Sequence, residues 1–163
     1  MELVTGRATV KDLDAFVADL QAIGREYGAT VQAFDARYVV DRTHLERALE
    51  LADRAIHREE AIAEDRAMEV LCYAAGTRQI ERALEIGLDP GETPAVVLVD
   101  GGDEAAAADA VAAHIDTAGD PLGAYDRALV REFFDVGDAE LAATDAGLPA
   151  LVRERVALLV VEK

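Results

Sequence analysis

The order of apolar and polar residues divides the first third of the chain into alternating strands and amphipathic helices. Residues 2–9 alternate and predict a first strand, after which apolar residues recur at helical spacing until Gly28. Residues 30–35 alternate again and predict a second strand, and a further helical stripe begins at Leu45 and ends at Ile56. We therefore expect the order strand, helix, strand, helix, followed by a charge-rich loop.

A strand-to-helix junction is predicted at the centre of the chain. The segment from Met68 to Ala75 is apolar almost throughout, and Gly76 separates it from an amphipathic stretch that ends at Gly87. We interpret this pattern as a buried strand that passes directly into a helix. The start of a helix presents backbone N–H groups without partners and the positive end of the helix dipole, so the junction is a candidate ligand site.

Four consecutive residues at this junction have side chains or backbone suited to an anion or a base. Gly76 can adopt a tight turn, Thr77 can cap the helix with its hydroxyl, and Arg78 and Gln79 would lie on the first turn. Together they could hold a phosphate or the edge of a base. An ordinary strand-to-helix turn with a threonine cap explains the same four residues without any ligand.

The second half of the chain predicts one more strand and several helices. The strand, 95–99, is apolar throughout and should be buried on both faces. The predicted helices are 103–118, 125–134, 138–144 and 148–161, although 156–161 could also form a strand. The alternation of strands and helices by itself suggests a parallel sheet.

The charge of the chain is strongly acidic. It has 33 acidic and 16 basic residues, a net charge of −17, no Ser, Asn or Trp, and only two lysines, Lys11 and Lys163. Such a composition is typical of a protein that stays soluble in concentrated salt, so we interpret the acidity as a halophilic, haloarchaeal adaptation. An acidic protein that binds basic partners or mimics nucleic acid is the alternative. Because the acids are scattered over several helices, the adaptation is favoured.

The residue types that most enzymes require are missing or isolated. There is no Ser for a triad, the single Cys72 lies in the buried segment, and His44, His57 and His114 show no metal-binding spacing. We therefore expect no enzymatic activity, no cofactor and no metal site. The first residues lack a signal pattern, and no apolar run reaches the roughly twenty residues of a membrane helix. One cytoplasmic domain over residues 1–163 is the simplest expectation.

A family resemblance is carried by several short strings. They are Met68-Glu69, Ala75-Gly76-Thr77-Arg78-Gln79-Ile80, Ala83 and Gly87, with His44-Leu45 and Glu154-Arg155-Val156-Ala157-Leu158-Leu159 outside the central segment. In these residues the chain resembles the small kinase-binding, tRNA-recruiting subunit of the KEOPS complex, the archaeal relative of the PRPK-binding protein. The resemblance covers most of the chain, and the central string is its specific part.

The resemblance implies an α+β fold, with a small mixed, largely antiparallel sheet of about four strands packed with helices and a helical C-terminal part. It also implies a non-catalytic subunit of the assembly that installs threonylcarbamoyladenosine in tRNA. Such a subunit binds the small atypical kinase or ATPase, captures the 3′ CCA end of tRNA, and serves the transferase subunit indirectly. For this role the six predicted tRNA-binding residues are Gly76, Thr77, Arg78 and Gln79 at the junction and, as weaker candidates, His44 and Arg155. Arg42 and Lys163 are further weaker candidates for the same patch.

Two other functions fit the same residues. One is a stand-alone domain that binds a small phosphate compound at the Gly76 junction. The other is a structural adaptor in which the central string shapes a protein interface without touching RNA. An apolar surface on the later helices or the C-terminal segment is the expected docking site for the kinase.

Overall fold

The computed structural model describes residues 1–162, with side chains described as far as Val161. In this part of the chain there are three strands and eight α-helices. In chain order they are β1 (Glu2–Val10), α1 (Leu13–Tyr27), β2 (Thr30–Asp35), α2 (Arg42–His57), α3 (Arg66–Ala75), α4 (Ile80–Ala83), β3 (Gly91–Asp100), α5 (Glu104–Ala112), α6 (Arg127–Phe133), α7 (Asp138–Ala142) and α8 (Gly147–Glu162). Short 3-10 turns follow β2 at Ala36–Tyr38 and α4 at Leu84–Ile86.

The three strands form an antiparallel sheet in the order β1-β3-β2. β1 pairs with β3 from Glu2↔Val99 to Val10↔Gly91, and β2 pairs with β3 from Thr30↔Asp100 to Asp35↔Ala95. The α+β class and the antiparallel arrangement implied by the resemblance are thus confirmed. The parallel sheet suggested by simple alternation is wrong, and the described sheet has three strands rather than about four, with no parallel pair.

The sheet separates two hydrophobic cores because its side chains alternate between its two faces. On one face Val97 and Val99 pack with residues of α1 and α5. On the other face Val96 and Leu98 pack with residues of α2, α3, α6 and α8. The central strand β3 is therefore buried on both sides from Ala95 to Val99, as its uninterrupted apolar sequence predicts.

The prediction of a strand at residues 68–75 is wrong, because these residues lie in helix α3. Every residue from Glu69 to Ala75 is buried, because α3 contacts β2, α2, α4 and α8. A helix that is enclosed on all sides loses the polar face that produces a helical period. A short apolar run of this kind cannot be distinguished from a buried strand by periodicity.

The helix predicted from Asp103 to Ala118 begins as expected, with Asp103 accepting a hydrogen bond from Ala106 N–H, but it ends at Ala112. The chain beyond it turns back to the outer edge of β1. There the N–H and C=O of Arg7 pair with Asp116 at 2.7 and 2.9 Å. Gly6 permits this approach, since a Cβ at its position would lie 2.1 Å from the Asp116 oxygen. Pairing with an exposed edge therefore replaces the last turns of the helix.

The later helices agree in type with the prediction and are shorter, except for the last. α6 and α7 lie within the predicted ranges 125–134 and 138–144. The segment 156–161, which the pattern left open between strand and helix, belongs to α8. No helix in the described residues is both long enough and apolar enough to span a membrane.

Candidate functional site

The Gly76 junction ends a helix instead of starting one. Gly76 has a φ of +63° and follows the last residue of α3. Its N–H donates to Tyr73 O at 3.0 Å, and the N–H of Thr77 donates to Cys72 O at 3.1 Å. This is a left-handed C-terminal cap, and it presents the negative end of a helix dipole. The helix-start argument for anion binding is therefore wrong at Gly76.

The residues after the cap form a short turn before α4. The hydroxyl of Thr77 accepts a hydrogen bond from Gln79 N–H at 3.1 Å, so Thr77 shapes the turn without capping a helix. α4 itself begins at Ile80 and has only four residues. Such a short helix has too small a dipole to attract an anion at its start. Any ligand at this place must therefore be held by side chains.

Two of the predicted residues line an open groove. Arg78 and Gln79, both exposed, are among its lining residues. The rest of the lining consists of Glu60, Ala61, Ile62 and Val160. The groove has a volume of about 870 Å³ and combines one guanidinium, one amide and three aliphatic side chains with a carboxylate. A cation for phosphate, an amide for a base edge and apolar surface for a base face thus lie within one depression.

The loop that contributes Ile62 to the groove is held by a fully buried carboxylate. Glu69, in the first turn of α3, is 0% exposed. Its oxygens accept the N–H of Ile62 at 2.7 and 2.8 Å, and one of them accepts the N–H of Ala63 at 3.2 Å. A buried charge requires such partners, and a loop without regular structure requires acceptors for its amides. The position of the 60–63 loop therefore depends on Glu69.

His44 lies beneath the end of α3 and is 0% exposed. Its Nε2–H donates to Ala74 O at 2.8 Å, and its Nδ1 accepts the N–H of Val40 at 3.3 Å. Burial lowers the pKa of His44, so the ring is neutral at pH 7. Both ring nitrogens are occupied by the backbone, and His44 therefore supports the Gly76 turn from inside the protein.

Arg155 reaches the same turn from α8. Its backbone oxygen lies 3.3 Å from the position that a Cβ of Gly76 would occupy. Its guanidinium turns away and binds Glu140 at 2.6 and 2.8 Å and the backbone oxygens of Phe134 and Asp135 at 3.0 Å. The hydrogen bond to Glu140 raises the pKa of Arg155. The side chain of Arg155 thus ties α8 to the segment between α6 and α7.

The structure brings all six predicted site residues to the end of α3, in two roles. Arg78 and Gln79 line the groove, whereas Gly76, Thr77, His44 and Arg155 form or support the turn that carries them. The weaker candidate Arg42, the first residue of α2, donates to Met1 O, and Lys163 lies outside the described residues.

Sequence reasoning missed the loop residues of the groove. The charge-rich pattern predicts only a solvated loop at residues 60–62, and Glu69 enters only as part of the family string. A single acid inside an apolar run was the available signal, because a carboxylate in such a run must find donors when it is buried.

Comparison with known proteins identifies one family. A family model described as kinase binding protein CGI-121 matches residues 9–159. No curated protein matches the chain. The matched range includes β2, β3, the Gly76 turn, Glu69 and most of α8, and it begins at Thr9 near the end of β1.

Proposed function

This chain belongs to the kinase binding protein CGI-121 family, and from that premise we propose that it is the non-catalytic KEOPS subunit that binds the atypical kinase and holds the 3′ CCA end of tRNA. The transferase subunit is then an indirect partner, and the complex works in the cytoplasm. The observation that carries the tRNA role is the groove that Arg78 and Gln79 line together with Ile62, whose loop is held by Glu69.

The groove suits an unpaired nucleotide better than a duplex. Arg78 can donate two hydrogen bonds to a phosphate, and Gln79 can both donate to and accept from a base edge. Ile62 and Val160 provide apolar surface against which a base can pack. A duplex would require a broad basic surface, whereas this chain has a net charge of −17 and few lysines. A single-stranded end needs only a small site of hydrogen bonds and packing.

Concentrated salt strengthens this preference. Binding that depends on many phosphate contacts loses about three to five decades of affinity between 50 and 200 mM salt. Hydrogen bonds and apolar contacts to one or two nucleotides are far less sensitive to salt. A small, largely non-ionic site is therefore the kind of tRNA site that an acidic protein can use in molar KCl.

Kinase binding requires a different surface. On the outer side of α8, Leu158 and Val161 are three residues apart and therefore lie on one face. Their exposed fractions are 39% and 81%. We place the kinase on this face because exposed apolar side chains on a helix are typical of a protein interface. Leu158→Asp should then prevent co-purification of the kinase in high salt without unfolding the chain.

Replacement of Arg78 tests the tRNA role. Arg78→Glu should abolish tRNA binding in molar KCl, and tRNA without its CCA end should bind as weakly to the wild-type protein. Arg25→Glu is the matched control, since Arg25 is an exposed arginine on α1, on the other face of the sheet. Kinase binding should survive both substitutions.

Two results would reject parts of this proposal. If Arg78→Glu spares tRNA but breaks the kinase complex, the Gly76 turn is a protein interface. If the pure protein hydrolyses ATP or transfers threonylcarbamoyl, and a substitution in the chain removes that activity, the non-catalytic assignment fails.

A further inference from the structure

A second groove lies along the β2 edge of the sheet and shares no lining residue with the Arg78 groove. Its floor is the edge strand β2, with Val31 and Ala33, and its walls are α1 and α3. The groove encloses about 300 Å³. It is lined mainly by aliphatic and aromatic side chains, which include Leu13, Phe16, Val17, Leu20, Met68 and Leu84.

Part of this apolar lining is exposed to solvent. Val17 on α1 is 42% exposed, and Leu84 in the turn after α4 is 48% exposed. Both are large aliphatic side chains in a chain whose surface is otherwise rich in carboxylates. Because exposed apolar side chains are grouped around one depression, the groove has the character of a binding surface.

The only charged side chains in the lining are two carboxylates, Asp65 and Asp89, and both are exposed. Within the described part of the chain, neither side chain has a hydrogen bond or an ion pair. The Gln32 amide donates to Ala33 O at 2.8 Å and so covers one carbonyl of the strand edge. The groove can therefore bury the apolar side chains of a ligand, and its two carboxylates can pair with cations of the same ligand.

We propose that this groove binds a short apolar segment of another protein, with a lysine or arginine on either side of its apolar residues. Its apolar side chains would fill the space between Val17 and Leu84, and its cations would lie beside Asp65 and Asp89. This site goes beyond the proposed function, since it involves neither the Arg78 groove nor the exposed face of α8.

Charge argues against a second copy of this chain as the occupant. A symmetric dimer places the same patch of each copy against the other. Asp65 and Asp89 would then meet the same carboxylates, and two chains of net charge −17 would be brought together. A segment with basic flanks meets no such repulsion. Its apolar contacts also persist in concentrated salt, which screens ionic contacts but strengthens the burial of apolar surface.

A labelled peptide can test this site directly. The probe contains three valines that alternate with threonines, with a lysine at each end, and its binding is followed by fluorescence anisotropy in molar KCl. Val17→Asp and Leu84→Asp should each weaken binding by about tenfold to a hundredfold, because each removes apolar surface and adds a charge. Ile56→Asp is the matched control, since Ile56 is 39% exposed on α2, outside the groove.

A peptide with glutamate ends should bind more weakly than the lysine peptide, and Asp65→Asn with Asp89→Asn should reduce the difference. The proposal is overturned if the lysine peptide does not bind, or if Ile56→Asp weakens binding as much as Val17→Asp. It is also overturned if light scattering finds a dimer that Val17→Asp dissociates, since the occupant is then a second copy. Binding of a small apolar dye that the peptide fails to displace would point to a small-molecule site instead.

Discussion

Replacement of Glu69 tests whether a buried carboxylate shapes the Arg78 groove. Glu69→Gln changes one oxygen of a fully buried side chain into an NH₂ group and keeps the volume almost constant. In the native protein two amides, those of Ile62 and Ala63, donate to this carboxylate at 2.7 to 3.2 Å. A glutamine offers one acceptor oxygen, and its NH₂ group faces N–H donors.

The cost follows from the lost hydrogen bond. A hydrogen bond to a charged group contributes about 1.5–3 kcal/mol, and a buried amide left without an acceptor costs a similar amount. The N–H of Ile62 donates to both oxygens of Glu69, so the NH₂ group of glutamine meets this donor in either orientation and at least one such bond is lost. Because the loop has no regular structure around Ile62, we expect it to open locally while the sheet and α2 remain folded.

Hydrogen exchange measures this opening directly. The exchange of the Ile62 and Ala63 amides should accelerate roughly ten- to a hundredfold, since each tenfold change corresponds to about 1.4 kcal/mol. Glu64→Gln is the matched control because Glu64 is an exposed glutamate of the same loop. The affinity for a tRNA ending in CCA should fall in Glu69→Gln, whereas kinase binding should remain.

A double variant, Glu69→Gln with Arg78→Glu, tests whether the two residues act on tRNA through the same groove. If both residues act through one groove, the double variant should lose little more tRNA affinity than Arg78→Glu alone. Unchanged exchange at Ile62 and Ala63 in Glu69→Gln would refute the anchoring role. Faster exchange with unchanged tRNA affinity would mean that the loop is anchored by Glu69 but is not part of the tRNA site.

Three further predictions concern stability. The pKa of His44 in the folded protein lies below its ordinary value of 6.5. As the pH falls, the unfolded chain therefore binds the proton first. The free energy of unfolding should decrease below about pH 6.5, by at most about 1.4 kcal/mol per pH unit. Urea titrations should show this slope flattened by His44→Gln and unchanged by His57→Gln, and an equal slope in both variants would contradict it. Gly76→Ala should cost about 1–2 kcal/mol because φ is +63°, whereas Gly137→Ala, with a φ of −87° and open space around it, should cost much less, as thermal unfolding can check. Transfer from about 1 M to about 0.01 M KCl should lower the melting temperature, since the net charge of −17 is then screened over about 30 Å instead of about 3 Å. Equal melting temperatures would argue against the halophilic interpretation.

The sequence by itself determined the elements that have one polar face. α1 and α2 cover one core each and expose their other side, so their apolar residues recur at helical spacing. β3 was recognisable for another reason, because five consecutive apolar residues between turn residues are typical of a central strand. The family strings identified Arg78 and Gln79, which the structure places in the groove.

Only the tertiary structure decided the state of the segment before Gly76. α3 is enclosed by the sheet, α2 and α8, so its sequence contains no polar face that would reveal its period. Once this segment is a helix, Gly76 ends it, and the dipole at the turn has the opposite sign from the one predicted. The state of one buried segment therefore reversed the physical argument for the site, although the site residues stayed the same.

Contacts between different elements of the fold decided the remaining roles. The buried His44 donates its Nε2–H to the backbone oxygen of Ala74, 30 residues later in the chain. Arg155 is committed to Glu140, and Glu69 holds the loop at Ile62. Local patterns indicate which faces of an element are apolar, but they do not indicate which backbone group of another element will form a hydrogen bond with a polar side chain. The residue types at this site were therefore readable from the sequence, whereas their division into groove residues and supports required the packing of α3 against α2 and α8.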